Sequence, residues 1–311
     1  MNNLGIRTIS GAFLLAAVLL AIWLRGPLLL LFVAAASLLA AHEFYSMTRR
    51  AGYAPWYSAG IALALLFALR GYLGGDLLSG VADTGPGVAA EIMALALVLI
   101  LVLARLGLAW GRSASMAGRE AVGVGGSAVS SRSPYLAWAD LGLTLAGALY
   151  TGGLLGYGPL LASLSETPTR GGGVAWMLAV LLGTAACDTG AYLVGSTLGR
   201  HKMIPYISPG KTWEGLAGGI LGAVVVAITL SGILKIGWVP AILLGLLICA
   251  AAVSGDLCES LLKRVAGVKD SGNLIPGHDG ILIPGHGGIL DRIDSILFVL
   301  PAVYWFSTLS G

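Results

Sequence analysis

The sequence predicts an all-α, polytopic integral membrane protein with about nine transmembrane helices. Three observations predict it. Of 311 residues, 57% are hydrophobic and only 11% charged, whereas about a quarter of a soluble domain is charged. Nearly uncharged stretches recur along the whole chain, each close to the roughly 20 residues a helix needs to cross a bilayer. The apolar/polar alternation that marks a membrane β-barrel is absent, so the spans must be helices that satisfy their own backbone groups.

In chain order the candidate spans are Thr8 to Leu24, Pro27 to Met47, Trp56 to Leu73, Val88 to Trp110, Tyr135 to Leu164, Val174 to Leu198, Glu214 to Leu234, Trp238 to Leu257, and Ile293 to Leu309. The first follows Arg7, as the apolar core of a signal peptide would. No small-x-small cleavage site follows it and a second span begins at once, so it reads as a helix that stays in the protein. The fifth is overlong, and Gly152, Gly153 and Pro159 predict a kink or an early end. Cys187, Cys249 and Cys258 lie in or beside apolar spans without metal-type spacing and read as small buried residues.

Between the fourth and fifth spans, Gly111 to Ser133 is rich in Gly, Ser and Arg and predicts a flexible loop near anionic head groups. It divides the chain into residues 1–134, with few polar groups in the spans, and residues 135–311, where nearly every acid lies at a span end or inside one. The first part reads as a scaffold and the second as the working half. With nine alternating spans, thirteen of the 18 Lys and Arg residues fall on the side of the N-terminus and four on the other, with Arg105 inside a span. This asymmetry places the N-terminus and the basic loops in the cytoplasm.

The polar groups of the second half fall into a pattern. Asp188 sits well inside the sixth span, where an unpaired carboxylate costs several kcal/mol and most often marks a ligand or ion site. Asp256, Glu259, Ser260 and Lys263 are spaced by three and four, so they share one face of the eighth helix as it leaves the membrane. Asp291, Asp294 and Ser295 repeat the spacing at the start of the ninth. A charge favoured by the helix dipole explains Asp291 or Asp294 singly. Two such clusters on one side of the membrane suit a hard divalent ion such as Mg²⁺, which takes one or two carboxylates plus phosphate oxygens.

Lys263, Arg264, Lys269 and Asp270 precede a Gly-rich stretch in which nearly the same eight residues occur twice, LIPGHDGI from Leu274 to Ile281 and LIPGHGGI from Leu282 to Ile289. Gly285, Gly287 and Gly288 let backbone N–H groups approach an anion closely. A further loop, ISPGKTWEG from Ile207 to Gly215, brings Lys211 to the same side. Its GKT is not a P-loop, because Pro205 stands where that pattern needs Gly and no βαβ unit surrounds it. Ser208 with Pro209 instead predicts a helix start that leaves Lys211 free to meet phosphate.

At these residues the chain resembles the phosphatidate cytidylyltransferases, also called CDP-diacylglycerol synthases. The resemblance rests on DTGAY (Asp188 to Tyr192), SPGKTWEG (Ser208 to Gly215), GDLCES (Gly255 to Ser260), SLLKRVAGVKDSG (Ser260 to Gly272) and PGHGGILDRIDS (Pro284 to Ser295). It is strong from about Gly183 to Pro301 and weaker before that. It implies transfer of the cytidylyl group of CTP to phosphatidic acid, giving CDP-diacylglycerol and pyrophosphate at the cytoplasmic face of the inner (plasma) membrane, with Mg²⁺ as cofactor. A second, monovalent cation and a homodimer are compatible with the resemblance, and no nucleic-acid partner is expected. By the same resemblance Asp256 and Asp291 lead as metal ligands, supported by Asp294 and Asp270. Lys211, Lys263, Arg264 and Lys269 would hold phosphates, with Ser208, Glu259 and Arg292 at the substrate. Asp188 and Glu214 would shape the pocket, and His286 would donate to a phosphate oxygen or cap the loop.

The family pattern has one PGHGG, so this chain carries one octad more. His286 keeps the family's spacing to Asp291, and the second octad retains both glycines, so the first is expected to bulge from the site. Two other readings stay open on the sequence. One is a transporter with broken helices, which predicts inverted halves that the acidic motifs do not show. The other is a family member silenced by the octad. A CDP-alcohol phosphotransferase is excluded by the absence of its DG-x-x-AR pattern.

Overall fold

Uncharged runs fold as helices here because a backbone surrounded by hydrocarbon can bond only to itself. The computed structural model describes residues 16–24, 26–76, 134–268, 271 and 288–310. Beyond the helical residues 16–24, the helices are α1 (Gly26–Arg50), α2 (Tyr57–Asp76), α3 (Pro134–Ala148), α4 (Tyr157–Ala162), α5 (Gly173–Leu198), α6 (Trp213–Leu234), α7 (Trp238–Val265) and α8 (Leu290–Leu309).

Five of them, α1, α5, α6, α7 and α8, are long and apolar enough to cross a membrane, and α2 holds a shorter apolar stretch. The protein is therefore an all-α polytopic membrane protein. The expected nine spans are not all represented among the described residues. The candidate at Val88 to Trp110, much of the first candidate, and the loop from Gly111 to Ser133 lie outside them. The most apolar stretch of α6 is only 22% buried, and Leu221, Val225 and Ile228 point outward. A surface of that kind belongs against acyl chains.

The overlong fifth candidate breaks as expected, at Gly152 and Gly153, with Pro159 inside the helix that follows. After α3 comes a single π-helical turn, Leu149–Gly153, then α4, which contains Pro159. A Cβ on Gly152 would run into the backbone of Ala64 on α2, so the break lies at a close approach of two backbones. Cys187 and Cys249 are buried, their Sγ atoms 3.1 Å apart as free thiols, and Cys258 is partly buried.

Two seams set the working half. A Cβ on Gly190 would strike the carbonyl of Gly218, and one on Gly218 that of Gly190, so α5 and α6 touch backbone to backbone through small residues. A Cβ on Gly255 of α7 would likewise meet the backbone of Asp294 and Ser295 on α8. Helix α7 continues past the expected end at Leu257 to Val265 and keeps Asp256, Glu259 and Lys263 on one continuous helix.

The helix start expected at Ser208 and Pro209 is not there. These residues open β2 (Ser208–Thr212), which pairs antiparallel with β1 (Lys202–Ile204) through a bulged register, Lys202 opposite Thr212 and Ile204 opposite Ser208. In this two-stranded sheet both strands are edges, so a proline without an N–H is tolerated. Thr212 caps α6 instead, its hydroxyl accepting from the Gly215 N–H at 3.1 Å.

Candidate metal and phosphate site

The site is assembled where α7 and α8 cross. Because α8 lies against Gly255, the next residues of α7 stand opposite the first turns of α8. Asp256, Glu259 and Asp294 each offer one carboxylate oxygen, and these three oxygens lie within 4.8 Å of one another. Three like charges so close repel unless a cation sits among them. Glu259 is only 1% exposed. Its Oε2 accepts from Lys263 Nζ at 2.5 Å, while its Oε1 is buried with no hydrogen-bond partner among the described residues. Three hard oxygen donors, from side chains that include a Glu259 with a buried unpartnered oxygen, fit a hard divalent ion such as Mg²⁺.

Lysines frame this group on both sides. Lys211 Nζ reaches from β2 to Asp256 Oδ2 at 2.8 Å and to the Val253 carbonyl at 3.3 Å. It is thus held at the carboxylates, not free as the sequence suggests. Lys263 Nζ bridges Glu259 and Asp291, the latter at 2.8 Å. Asp291 is not one of the three converging acids. Its Oδ1 accepts from Lys263, and its Oδ2 accepts from the N–H groups of Ser271 and Gly288 at 3.1 and 3.0 Å.

The other residues singled out in the sequence spread around this centre. Asp188 is exposed on α5, within electrostatic range of Asp256 and Lys211. Glu214 accepts from the N–H groups of Arg200 and His201 and pairs with His201 Nδ1 at 2.5 Å, so it ties the base of the hairpin to α6. Arg264 donates from Nε to the Ile207 carbonyl at 3.2 Å, which fastens the hairpin tip to α7. Ser208 is half-buried on β2, and Arg292 is exposed on α8. Lys269, Asp270, His286 and the first octad lie outside the described residues.

One residue that the sequence motifs do not include is Glu43 on α1. Its carboxylate accepts three hydrogen bonds at 2.9 Å, from Ser271 Oγ, Ile289 N and Leu290 N. It therefore caps α8 from another helix, satisfying N–H groups that have no partner within α8, and joins both ends of the stretch that carries the octads. The sequence does carry a signal for it: Glu43 is the one acid in the apolar run from Pro27 to Met47, and a carboxylate there is as costly to leave unpaired as Asp188.

A model of the Cytidylyltransferase family matches residues 5–282 and 279–310, and the two matches meet within the repeated octads. The chain is similar to a phosphatidate cytidylyltransferase of Bacillus subtilis (strain 168), 48% identical over 124 residues, 39% of this chain and 43% of that protein. One from Mycobacterium bovis (strain ATCC BAA-935 / AF2122/97) is 42% identical over 134 residues, 42% of this chain and 40% of the relative. A protein of Escherichia coli (strain K12) named uncharacterized protein YnbB is 38% identical over 153 residues, 49% of this chain and 48% of that protein. The matched stretches thus span less than half the length of each of these relatives.

Proposed function

The chain belongs to the cytidylyltransferase family, and from that premise we propose that it transfers the cytidylyl group of CTP to phosphatidic acid, releasing pyrophosphate and forming CDP-diacylglycerol. The observation that carries this reading is the convergence of Asp256, Glu259 and Asp294 within 4.8 Å on two crossing helices, flanked by Lys211 and Lys263. The names of the Bacillus subtilis and Mycobacterium bovis relatives support the substrate.

In the reaction an oxygen of the lipid phosphate attacks the α-phosphorus of CTP. The bond to the β-phosphate breaks, and its electrons leave with pyrophosphate. Little covalent work falls to the protein in such a transfer, so catalysis rests on positioning and on neutralising charge. Asp256, Glu259 and Asp294 would hold Mg²⁺, which when bound neutralises phosphate charge and orients the reacting groups. Lys211 and Lys263 already stand at the carboxylates, where phosphate oxygens would arrive. Arg264 lies one residue beyond Lys263, the family resemblance supports Lys269 beside them, and Asp188, within electrostatic range of Lys211, would shape the pocket. Asp291 keeps Lys263 in place and fastens the start of α8, while Asp270 and His286 complete the loop in this proposal. The excess of Lys and Arg in the loops on one side supports a site at the cytoplasmic face of the inner membrane.

The test is direct. Purified protein with CTP labelled in the cytosine, phosphatidic acid and Mg²⁺ is expected to move label into the lipid extract, and chelation of the divalent ion to stop it. No label in the lipid phase under any divalent ion would overturn the reading.

The repeated octad bears on whether this particular chain turns over. Glu43 and Asp291 together hold Ser271 to residues 288–290, so both ends of the stretch are fixed whatever its length. Deleting Leu274 to Ile281 is therefore expected to preserve or raise turnover. A dead deletion variant beside an active parent would show that the first octad belongs to the site.

A further inference from the structure

The π-turn Leu149–Gly153 plays no part in the site as described, yet it carries a side chain that packs against α8 beside it. A π-turn adds a residue to a helix and turns the neighbouring side chains in a new direction, and such turns are concentrated at functional sites. Tyr150, its second residue, is 9% exposed. Its ring packs 6.1 Å from Phe44 on α1 and edge-on, 6.2 Å away, against Phe298 on α8, one helical turn beyond Asp294. Phe298 and Asp294 lie four residues apart on α8 and so share one face, and the ring of Tyr150 packs on that face, with Cys258, Asp294, Glu259 and Asp256 within electrostatic range of its hydroxyl.

The hydroxyl oxygen is buried and has no hydrogen-bond partner among the described residues. A phenol in that position is unfavourable for the fold, since a phenylalanine would pack the same volume without stranding a donor. Two oxygens are stranded here, Tyr150 Oη and Glu259 Oε1, and they do not bond each other. Tyr150 packs on the face of α8 that carries Asp294, and Glu259 belongs to the acidic group that fits a divalent ion. Such ions give up their hydration reluctantly and keep several waters beside one or two carboxylates, and a cation-held water is a strong donor to a phenol oxygen.

We propose that Tyr150 is a positioning residue of the cation site, its hydroxyl hydrogen-bonding the water shell of a divalent ion held by Asp256, Glu259 and Asp294. This rests on reading those acids as a cation site and not on the identity of the lipid or nucleotide. Through Tyr150 the broken span at the start of the working half reaches the chemistry of α7 and α8.

The experiment compares the full-length protein with Tyr150→Phe, using Mn²⁺ as the probe, with free Mn²⁺ followed by electron paramagnetic resonance and thermal midpoints measured on the same samples. Loss of an outer-shell partner weakens metal binding by about 10- to 100-fold, so Tyr150→Phe is expected to weaken Mn²⁺ binding at least tenfold while its midpoint stays equal or rises. Unchanged affinity overturns the proposal, and so does a fall in affinity accompanied by a lower midpoint, which a packing defect explains. Asp294→Asn separates the role of Tyr150 from the cation site on which it depends. If it leaves Mn²⁺ affinity intact, or if the parent binds no Mn²⁺, the cation site itself is wrong and the role of Tyr150 falls with it.

Discussion

Asp256→Asn is expected to lower CTP-dependent turnover roughly a thousandfold while the protein stays folded. Asp256 belongs to the converging acids and also receives Lys211, so losing its charge weakens the cation site and releases the lysine from its place. Stabilisation of transition-state charge by a metal is worth several kcal/mol, and each 1.36 kcal/mol is tenfold in rate. The fold has little at stake, because the Asp256 side chain is 38% exposed and an ion pair that open to water contributes at most about 1 kcal/mol. Asparagine keeps the size of the side chain and an oxygen for the Ser260 hydroxyl, which lies 3.3 Å from Asp256 Oδ1. Initial rates at saturating CTP and Mg²⁺, with the thermal midpoint as control, decide the matter. A folded variant within tenfold of the parent would remove Asp256 from the site.

The opposite signature is expected of Glu43→Ala, in which stability and turnover fall together. Its carboxylate takes three donors, two of which belong to Ser271 and Leu290, both fully buried. Hydrogen bonds to a charged acceptor contribute about 1.5–3 kcal/mol each, and stranding buried donors adds its own penalty. Such effects are not additive, and about 3–5 kcal/mol is the expected loss, as when one partner of a buried charged pair is removed. The start of α8 would then be free to shift, and Asp294 with it, so turnover falls as well. Glu43→Gln, which keeps one acceptor oxygen, should lie between. A parent-like midpoint for Glu43→Ala would show that the cap is dispensable.

The contrast between these two acids explains how much of the site is legible in the sequence. Asp256 and Glu259 are one turn apart on a helix, a relation that spacing alone reveals. Glu43 meets partners 228, 246 and 247 residues away, which no local pattern encodes. The ends of α5 and α6 fall within one residue of the uncharged runs that predict them, because hydrocarbon dictates where a span must stop. The hairpin between them is not legible, because Ser-Pro has the chemistry of a helix start, whereas strand pairing depends on residues met across the turn. The membership of Asp294 in the converging group depends on how closely α8 approaches Gly255. The aim of Tyr150 depends on a π-turn, and neither feature has a sequence signature of its own.

No acyl chain can slip between backbones in direct contact. Where Gly190 meets Gly218, and where Gly255 meets Asp294, the helices leave no gap between their backbones. On the proposed function, a lipid would have to reach the carboxylates, and leave them, by a flank other than these two seams.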